Sequence, residues 1–108
     1  MTMPLVLHNG VAAARHKIPR LDSESFRRGV IDASRTGRRV AALFASPTGD
    51  ECVELFAVLA VDDEGCLEIF RTTIEGDSFP SITPECTQVH LFEREIFENS
   101  GVRPEGHP

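Results

Sequence analysis

The chain has 108 residues, 41% of them hydrophobic and 26% charged, and a net charge of −6, which fits one small globular domain with a single core. Trp and Tyr are absent and the balance is acidic, which argues against a nucleic-acid partner because base-stacking surfaces combine exposed aromatic residues with Lys or Arg. Residues 1–40 carry eight Lys or Arg against three acids, whereas residues 41–108 carry three Arg against fourteen acids. This polarity favours charged protein partners, although an ordinary solvated surface explains it equally well.

The cysteine count and the hydropathy pattern indicate a cytoplasmic protein. Cys52, Cys66 and Cys86 are an odd number without a Cys-x-x-Cys pair, unlike a secreted disulfide framework. No signal peptide is recognisable, and no apolar run approaches the roughly 20 residues that a membrane-spanning helix needs. We therefore expect reduced thiols, and membrane association only through a partner.

The first half of the chain predicts a short edge strand at residues 5–7 and a helix over residues 23–36. Asp22 or Ser23 can cap this helix, and its apolar stripe contains Phe26, Val30 and Ala33. Gly29 inside the stripe indicates either a cost in helix propensity or close packing against a sheet. Gly37 is a natural left-handed terminator.

A three-stranded antiparallel meander is predicted next, with strands over about 39–45, 52–61 and 66–74 and a turn at 46–50. Apolar cross-strand pairing places Val61 opposite Leu67 and Leu59 opposite Ile69. This register leaves a three-residue loop, 63–65, with Gly65 at its left-handed position.

The opposite face of this sheet is also apolar, so both faces need cover. Its predicted members are Phe56, Val58, Ala60, Phe70 and Ile74. The first helix can cover one face, and we expect the C-terminal helix or another chain to cover the other.

The last predicted helix has Thr83 as its cap and Pro84 at its first position, and it ends near Asn99, before Gly101. Its stripe is formed by Val89, Phe92 and Ile96, extended by Cys86. The sequence therefore predicts an α+β fold, in which helices pack on a mostly antiparallel sheet of three or more strands in two layers, with residues 1–108 as a single domain.

Patterns for catalysis and cofactor binding are weak throughout. No Gly-rich phosphate loop follows a strand, and three widely spaced cysteines do not resemble an iron–sulfur site. His90 and Glu93 lie at i and i+3, the reverse of the Glu-x-x-His order of carboxylate-bridged metal sites. A surface or interface histidine explains His90 better than a metal ligand, and each cysteine is better explained as a small core residue.

The run Glu93-Arg94-Glu95, followed by Glu98, is a charged segment between Phe92 and Ile96. Arg94 and Glu98 can pair at i and i+4, and a solvated helix face would also explain these charges. An arginine bracketed by apolar residues is nevertheless typical of a partner-facing surface.

Three segments together, 81–84, 92–96 and 101–108, resemble the 30-kDa subunit family of respiratory complex I (NADH:quinone oxidoreductase). The family pattern has a Glu-Arg-Glu triplet, an acidic residue three positions later, a Gly-[Ile/Val] turn and a Gly-His-Pro sequence. In this chain these are Glu93-Arg94-Glu95, Glu98, Gly101-Val102 and Gly106-His107-Pro108.

Two departures from that pattern bear on the parent complex. Glu98-Asn99-Ser100 stands where complex I members usually have Asp and two bulky apolar residues. Arg103-Pro104-Glu105 looks more like the cognate subunit or fused domain of energy-converting nickel–iron hydrogenases of the formate-hydrogenlyase type. The family continues beyond Gly-His-Pro into a basic segment, so we expect Pro108 to be a truncation point within a longer protein.

The resemblance implies a non-catalytic scaffold subunit or domain without a cofactor of its own, in a membrane-associated oxidoreductase complex. Its expected partners are the catalytic large subunit and the iron–sulfur subunit. Its expected location is the cytoplasmic side of the inner membrane, peripheral through the complex. The residues expected to dock the large subunit are Phe92, Glu93, Arg94, Glu95, Glu98, Gly106, His107 and Pro108.

Two other classes of function remain as alternatives. A stand-alone enzyme using His90, Glu93 or His107 requires these groups to converge in a pocket with shifted pKa values. A regulatory module for a small ligand predicts a deep apolar pocket, whereas an exposed apolar patch without a pocket favours docking.

Overall fold

The structure, a computed structural model, describes residues 4–8, 17–48 and 52–108. In chain order its elements are β1 (Leu5–His8), β2 (Arg20–Leu21), α1 (Ser23–Arg35), β3 (Arg39–Pro47), β4 (Val53–Val61), β5 (Cys66–Ile74), β6 (Ser78–Pro80), a 3-10 turn (Thr87–Val89), α2 (His90–Ser100) and β7 (Arg103–Glu105). The main sheet has the antiparallel order β1-β5-β4-β3, and β2 pairs in parallel with β5. β6 and β7 form a separate parallel pair. The predicted α+β class with a mostly antiparallel sheet is confirmed.

The first helix forms as predicted. The Asp22 carboxylate accepts a hydrogen bond from the Ser25 N–H at 3.3 Å and so caps the N-terminus. Phe26 and Val30 are buried on its inner face. The helix ends at Arg35, and Gly37 adopts a left-handed φ of +90°.

Gly29 is a close-packing position between α1 and the sheet. A Cβ atom at this residue would lie 3.1 Å from Cζ of Phe70. The Phe70 ring is itself held edge-on against Phe26, with centroids 5.4 Å apart. The absence of a side chain at Gly29 therefore allows α1 to approach β5.

The predicted register of the β4–β5 hairpin is wrong by one residue. Val61 lies opposite Cys66 and Val58 lies opposite Ile69, so the loop is the four-residue segment 62–65. Gly65 has a φ of +65°, as the turn chemistry predicted. Because β4 is apolar on both faces, hydrophobic alternation does not distinguish the two registers, and both loop lengths accept a left-handed glycine.

The register error also misassigned two side chains to a sheet face. Phe70 and Ile74 belong to the main core with Leu55, Ala57 and Leu59, because a one-residue slip moves every side chain of a strand to the other face. Phe56 and Val58 do lie on the opposite face as predicted, in a smaller cluster with Ile18, Ile69 and Leu5.

Both helices pack on the same face of the sheet. Phe26 and Val30 of α1 and Ile96 of α2 belong to one core cluster. The expectation that the C-terminal helix could cover the second face is therefore wrong, although the prediction of two layers holds. Within the described ranges, no helix is both long and apolar enough to cross a bilayer.

The strand predictions are confirmed in outline. β1 covers the predicted edge strand at 5–7. β3 continues through Pro47, into the segment predicted as a turn. Residues 49 and 50 of that turn, and the Asn9-Gly10 sequence after β1, lie outside the described residues.

The substitution Gly29→Ala tests the packing of α1 on Phe70. We expect it to lower the free energy of unfolding by about 1 kcal/mol, because overpacking costs of about 1–3 kcal/mol exceed the gain in helix propensity of about 1 kcal/mol. Urea denaturation checks this, with Asp32→Ala on the exposed side of the same helix as control. A Gly29→Ala variant with a higher free energy of unfolding would contradict this, because it would show that the Phe70 ring moves aside at little cost.

Candidate functional site

Helix α2 begins at His90 rather than near Thr83. Residues 82–86 form a single turn, closed by the hydrogen bond from the Cys86 N–H to the Ile82 carbonyl at 2.9 Å. Cys86 then has an extended φ of −144°, which ends the turn before the 3-10 segment. The predicted cap at Thr83 is therefore wrong, because its side chain instead donates a hydrogen bond to a residue in the first turn of α2. The end of α2 is as predicted, with Gly101 at a φ of +76°.

That residue is Glu93, whose side chain is fully buried. One carboxylate oxygen, Oε1, accepts hydrogen bonds from Ser81 Oγ and Thr83 Oγ1, both at 2.6 Å, and from the Thr83 N–H at 3.3 Å. The other oxygen, Oε2, accepts from the Ile82 N–H at 2.7 Å. A buried carboxylate costs several kcal/mol in desolvation, and charge-assisted hydrogen bonds of this kind offset that cost. We call this set of four residues the Glu93 network.

The Glu93 network joins elements that are distant in the chain. The Ser81 N–H donates to the Glu105 carbonyl at 2.8 Å, which ties the network to β7. Arg27 of α1 donates to the Ser81 carbonyl at 3.4 Å and to the Glu85 carboxylate at 2.7 Å. The Arg27 guanidinium holds the pKa of Glu85 below its usual range. The start of α2, its preceding loop, α1 and the C-terminal strand are thus held together around one carboxylate.

The opposite side of α2 is exposed. Leu91, Arg94, Glu95 and Glu98 occupy positions i, i+3, i+4 and i+7 and therefore share one face, which we call the outer face of α2. Leu91 is 70% exposed although it is a large apolar residue. Arg94 and Glu98 form an ion pair at 3.4 Å in which both side chains are largely exposed. Such a pair contributes little to folding, so the structure does not need these two charges for stability.

The C-terminal turn packs against the beginning of α2. The rings of His107 and His90 are stacked with centroids 4.7 Å apart. His107 Nε2 lies 3.3 Å from the His90 carbonyl oxygen. Gly106 has a left-handed φ of +85° and is exposed, as is Pro108. The turn 106–108 therefore continues the surface that begins at the first turn of α2.

The predicted docking residues are divided between interior and surface. Phe92 is half-buried against the main core and Glu93 is fully buried. The others, wholly or partly exposed, are Arg94, Glu95, Glu98, Gly106, His107 and Pro108. Their role in docking remains a prediction, and a buried Glu93 can serve it only by holding its neighbours in place.

Sequence reasoning missed the Glu93 network although a signal was present. Glu93 is four residues after Val89 and three before Ile96, both of which are buried, so it lies on the apolar stripe of its own helix. A carboxylate on a buried stripe needs donors, and Ser81 and Thr83 are hydroxyl residues close before it in the chain.

Neither of two grooves on the described surface is lined by His90, Glu93 or His107. One lies between the start of α1 and the end of β5. The other, here called the β3–α2 groove, is lined by Leu43, Phe44, Ala45, Pro47, Val53, Glu95, Ile96, Asn99 and Ser100. Across the residues that the structure describes, no group of three or more His, Cys, Asp or Glu is placed to hold a metal ion.

The substitution Glu93→Ala tests the buried carboxylate. We expect it to lower the free energy of unfolding by roughly 3 kcal/mol or more, because it leaves two hydroxyl and two amide donors buried without an acceptor. Chemical denaturation provides the measurement, and Glu95→Ala, two residues along and exposed, serves as the matched control with a change within about 0.5 kcal/mol. Equal effects of the two substitutions would contradict the assigned role of the network.

Comparison with known proteins is consistent with this architecture. A solved structure described as Nqo5 of the trypsin-resistant fragment (1–134) in P63 form matches with a TM-score of 0.61 and 19% sequence identity. The match covers 97% of this chain and 88% of that chain, and at this identity it shows a shared fold. A search of curated proteins found no match.

The family model described as respiratory-chain NADH dehydrogenase, 30 Kd subunit, matches residues 33–108. This range contains β3 to β7, the Glu93 network, the outer face of α2 and the C-terminal turn. Members of this family are subunits of a multi-subunit oxidoreductase complex. The chain belongs to the 30-kDa subunit family of respiratory-chain NADH dehydrogenase.

Proposed function

We propose that this chain is a cofactor-free scaffold subunit that docks the catalytic large subunit and the iron–sulfur subunit of its complex. The observation that carries the proposal is the outer face of α2, where Leu91 is 70% exposed beside a solvent-facing Arg94. Exposed apolar surface marks interaction sites, and arginine is enriched at protein–protein interfaces. Residues 106–108 extend this surface past the first turn of the helix.

The Glu93 network supports the proposal by making this surface rigid. The carboxylate anchors the buried side of α2 to residues 81–83, so the outer face is presented in one orientation before the partner arrives. A preorganised surface binds more tightly because less conformational entropy is lost on association. In this role Glu93 positions the docking residues rather than touching the partner.

A stand-alone enzyme receives less support from the same geometry. Both oxygens of Glu93 accept hydrogen bonds from Ser81, Ile82 and Thr83, so its carboxylate is already engaged by structural donors. A general base needs a path to the proton that it abstracts, and full burial denies Glu93 that path.

The parent complex is proposed to be of the hydrogenase type and to lie at the cytoplasmic side of the membrane, with this subunit peripheral to the bilayer. The support is the sequence 103–105 before the Gly-His-Pro turn and the polar Asn99 and Ser100 at the end of α2. Measurement of nickel in the purified native complex tests this assignment. A complex that lacks nickel and oxidises NADH would contradict it.

The substitutions Leu91→Asp and Arg94→Ala test the docking surface. We expect each to reduce recovery of the large subunit roughly tenfold or more, because central apolar and arginine anchors commonly contribute more than 1 kcal/mol to binding. The measurement is affinity purification of the tagged full chain from its native host, followed by quantification of the oxidoreductase subunits.

The control is Arg28→Ala on α1, which removes an arginine with equivalent local surroundings. Arg28 is exposed and pairs with Glu24 at i and i+4, as Arg94 pairs with Glu98. Both arginine substitutions should leave the free energy of unfolding within about 0.5 kcal/mol of the parent. Normal co-purification of a folded Arg94→Ala chain would show that the outer face of α2 is not the docking surface.

A further inference from the structure

Strand β3 is an edge of the main sheet. The order β1-β5-β4-β3 pairs β3 with β4 alone, and no second strand pairs with it among the described residues. An edge strand presents a row of unpaired N–H and C=O groups, and proteins usually protect such a row with charges, prolines, bulges or covering elements.

The direction of the peptide groups along β3 follows from the end of its ladder. The Thr48 N–H donates to the Cys52 carbonyl at 2.8 Å, so this pair is a hydrogen-bonded one. Hydrogen-bonded and non-hydrogen-bonded pairs alternate in an antiparallel ladder, and residues 42–48 keep one register with β4. The peptide groups of Leu43 and Ala45 therefore point away from β4, toward the open edge.

Both ends of the open edge are closed, whereas its middle is not. At one end the Val40 N–H donates to Oε1 of the Gln88 side chain at 3.1 Å. At the other end Pro47 has no N–H to donate. Between them, from Val40 to Ser46, the strand carries no charged side chain and no proline. Two consecutive outward positions, Leu43 and Ala45, thus remain available for pairing.

The surroundings of this edge are apolar on both faces. On the helix side, the β3–α2 groove has Leu43, Ala45 and Ile96 among its lining residues. On the other side Phe44 is 44% exposed and stacks on Phe56, with centroids 5.2 Å apart. Glu95 also lines the groove, and among the described residues it makes no ion pair. A strand added here would place alternate side chains in the groove and against Phe44.

We propose that the edge of β3 receives an extended segment of a partner subunit as an additional strand of the sheet. The segment has apolar residues at alternate positions and a Lys or Arg that faces Glu95. This inference rests on the proposed function, since it takes the partner to be another subunit of the same complex. Main-chain hydrogen bonds provide affinity in this mode of recognition, and the side-chain pockets provide specificity. Glu95 lies on both surfaces, so the added strand continues the contact made by the outer face of α2.

The substitution Ala45→Pro tests the added strand without breaking the existing sheet. Proline removes the outward N–H and its ring obstructs an incoming strand, but the ladder with β4 uses the alternate residues Phe44 and Ser46. Pro47 already occupies an equivalent outward position of this strand. Ala45→Val is the control, because it adds similar bulk to the groove and retains the N–H.

We expect Ala45→Pro to reduce recovery of the partner subunits roughly tenfold or more, and Ala45→Val to reduce it much less. Circular dichroism and thermal unfolding of the isolated chains show whether each variant folds. If Ala45→Pro does not fold, amide hydrogen exchange of the unsubstituted chain decides the question. In the purified complex, exchange at Leu43 and Ala45 should slow by about tenfold or more relative to the isolated chain.

Three results would overturn the added strand. If amide hydrogen exchange at Leu43 and Ala45 is the same in the complex as in the isolated chain, no strand is added at β3. The proposed function would still stand, provided that Arg94→Ala weakens assembly. Protection of both amides in an isolated chain that is dimeric by light scattering would identify the occupant as a second copy. Co-purification with no oxidoreductase subunit would refute both the proposed function and this inference.

Discussion

The buried carboxylate of Glu93 is the interaction on which the arrangement of residues 81–105 depends. An ionised carboxylate without water is stable only if the protein supplies donors. Here two hydroxyl and two amide groups from residues 81–83 do so at 2.6 to 3.3 Å. This requirement fixes the path of the loop before α2, and through Ser81 it also fixes the position of β7.

The burial of Glu93 gives the residues of the Glu-Arg-Glu triplet different environments. In the Glu-Arg-Glu triplet, the first glutamate is fully buried and holds the helix, while Arg94 and Glu95 are exposed. Adjacent residues on a helix point 100° apart, so a short sequence provides both a buried anchor and an exposed surface. The fold therefore depends on Glu93, whereas the exposed ion pair of Arg94 contributes little to it.

The two faces of the main sheet differ in what covers them. Both helices and most of the core lie on one face. The other face has a smaller apolar cluster and a nearly buried ion pair in which Arg71 bonds Glu54 at 2.7 Å and the Ile18 carbonyl at 2.9 Å. Arg71 is thereby held between a neighbouring strand and the segment before β2. β3 has apolar side chains on both faces, Leu43 on one and Phe44 on the other, so its edge is apolar on each side.

Local chemistry in the sequence determined the parts of the fold that depend on neighbouring residues. The Asp22 cap, the stripe of α1, the left-handed glycines at 37, 65 and 101 and the approximate bounds of β3, β4 and β5 were all predictable. The segment 81–108 was also recognisable as a family motif. The sequence pattern of α1 allowed two interpretations of Gly29, a cost in helix propensity or close packing against the sheet. The distance of 3.1 Å between a Cβ built at Gly29 and Cζ of Phe70 favours close packing.

Tertiary structure alone decided which surfaces face inward. Hydrophobic alternation could not set the β4–β5 register, because β4 is apolar on both sides and either register buries apolar residues. Helix-capping rules placed the start of α2 at Thr83, but the demand of a buried carboxylate for donors overrides a local cap and delays the helix to His90. The sequence by itself therefore identified residues 81–108 as the segment that carries the family pattern. The tertiary structure determined that Glu93 is its buried anchor and that Arg94 is exposed.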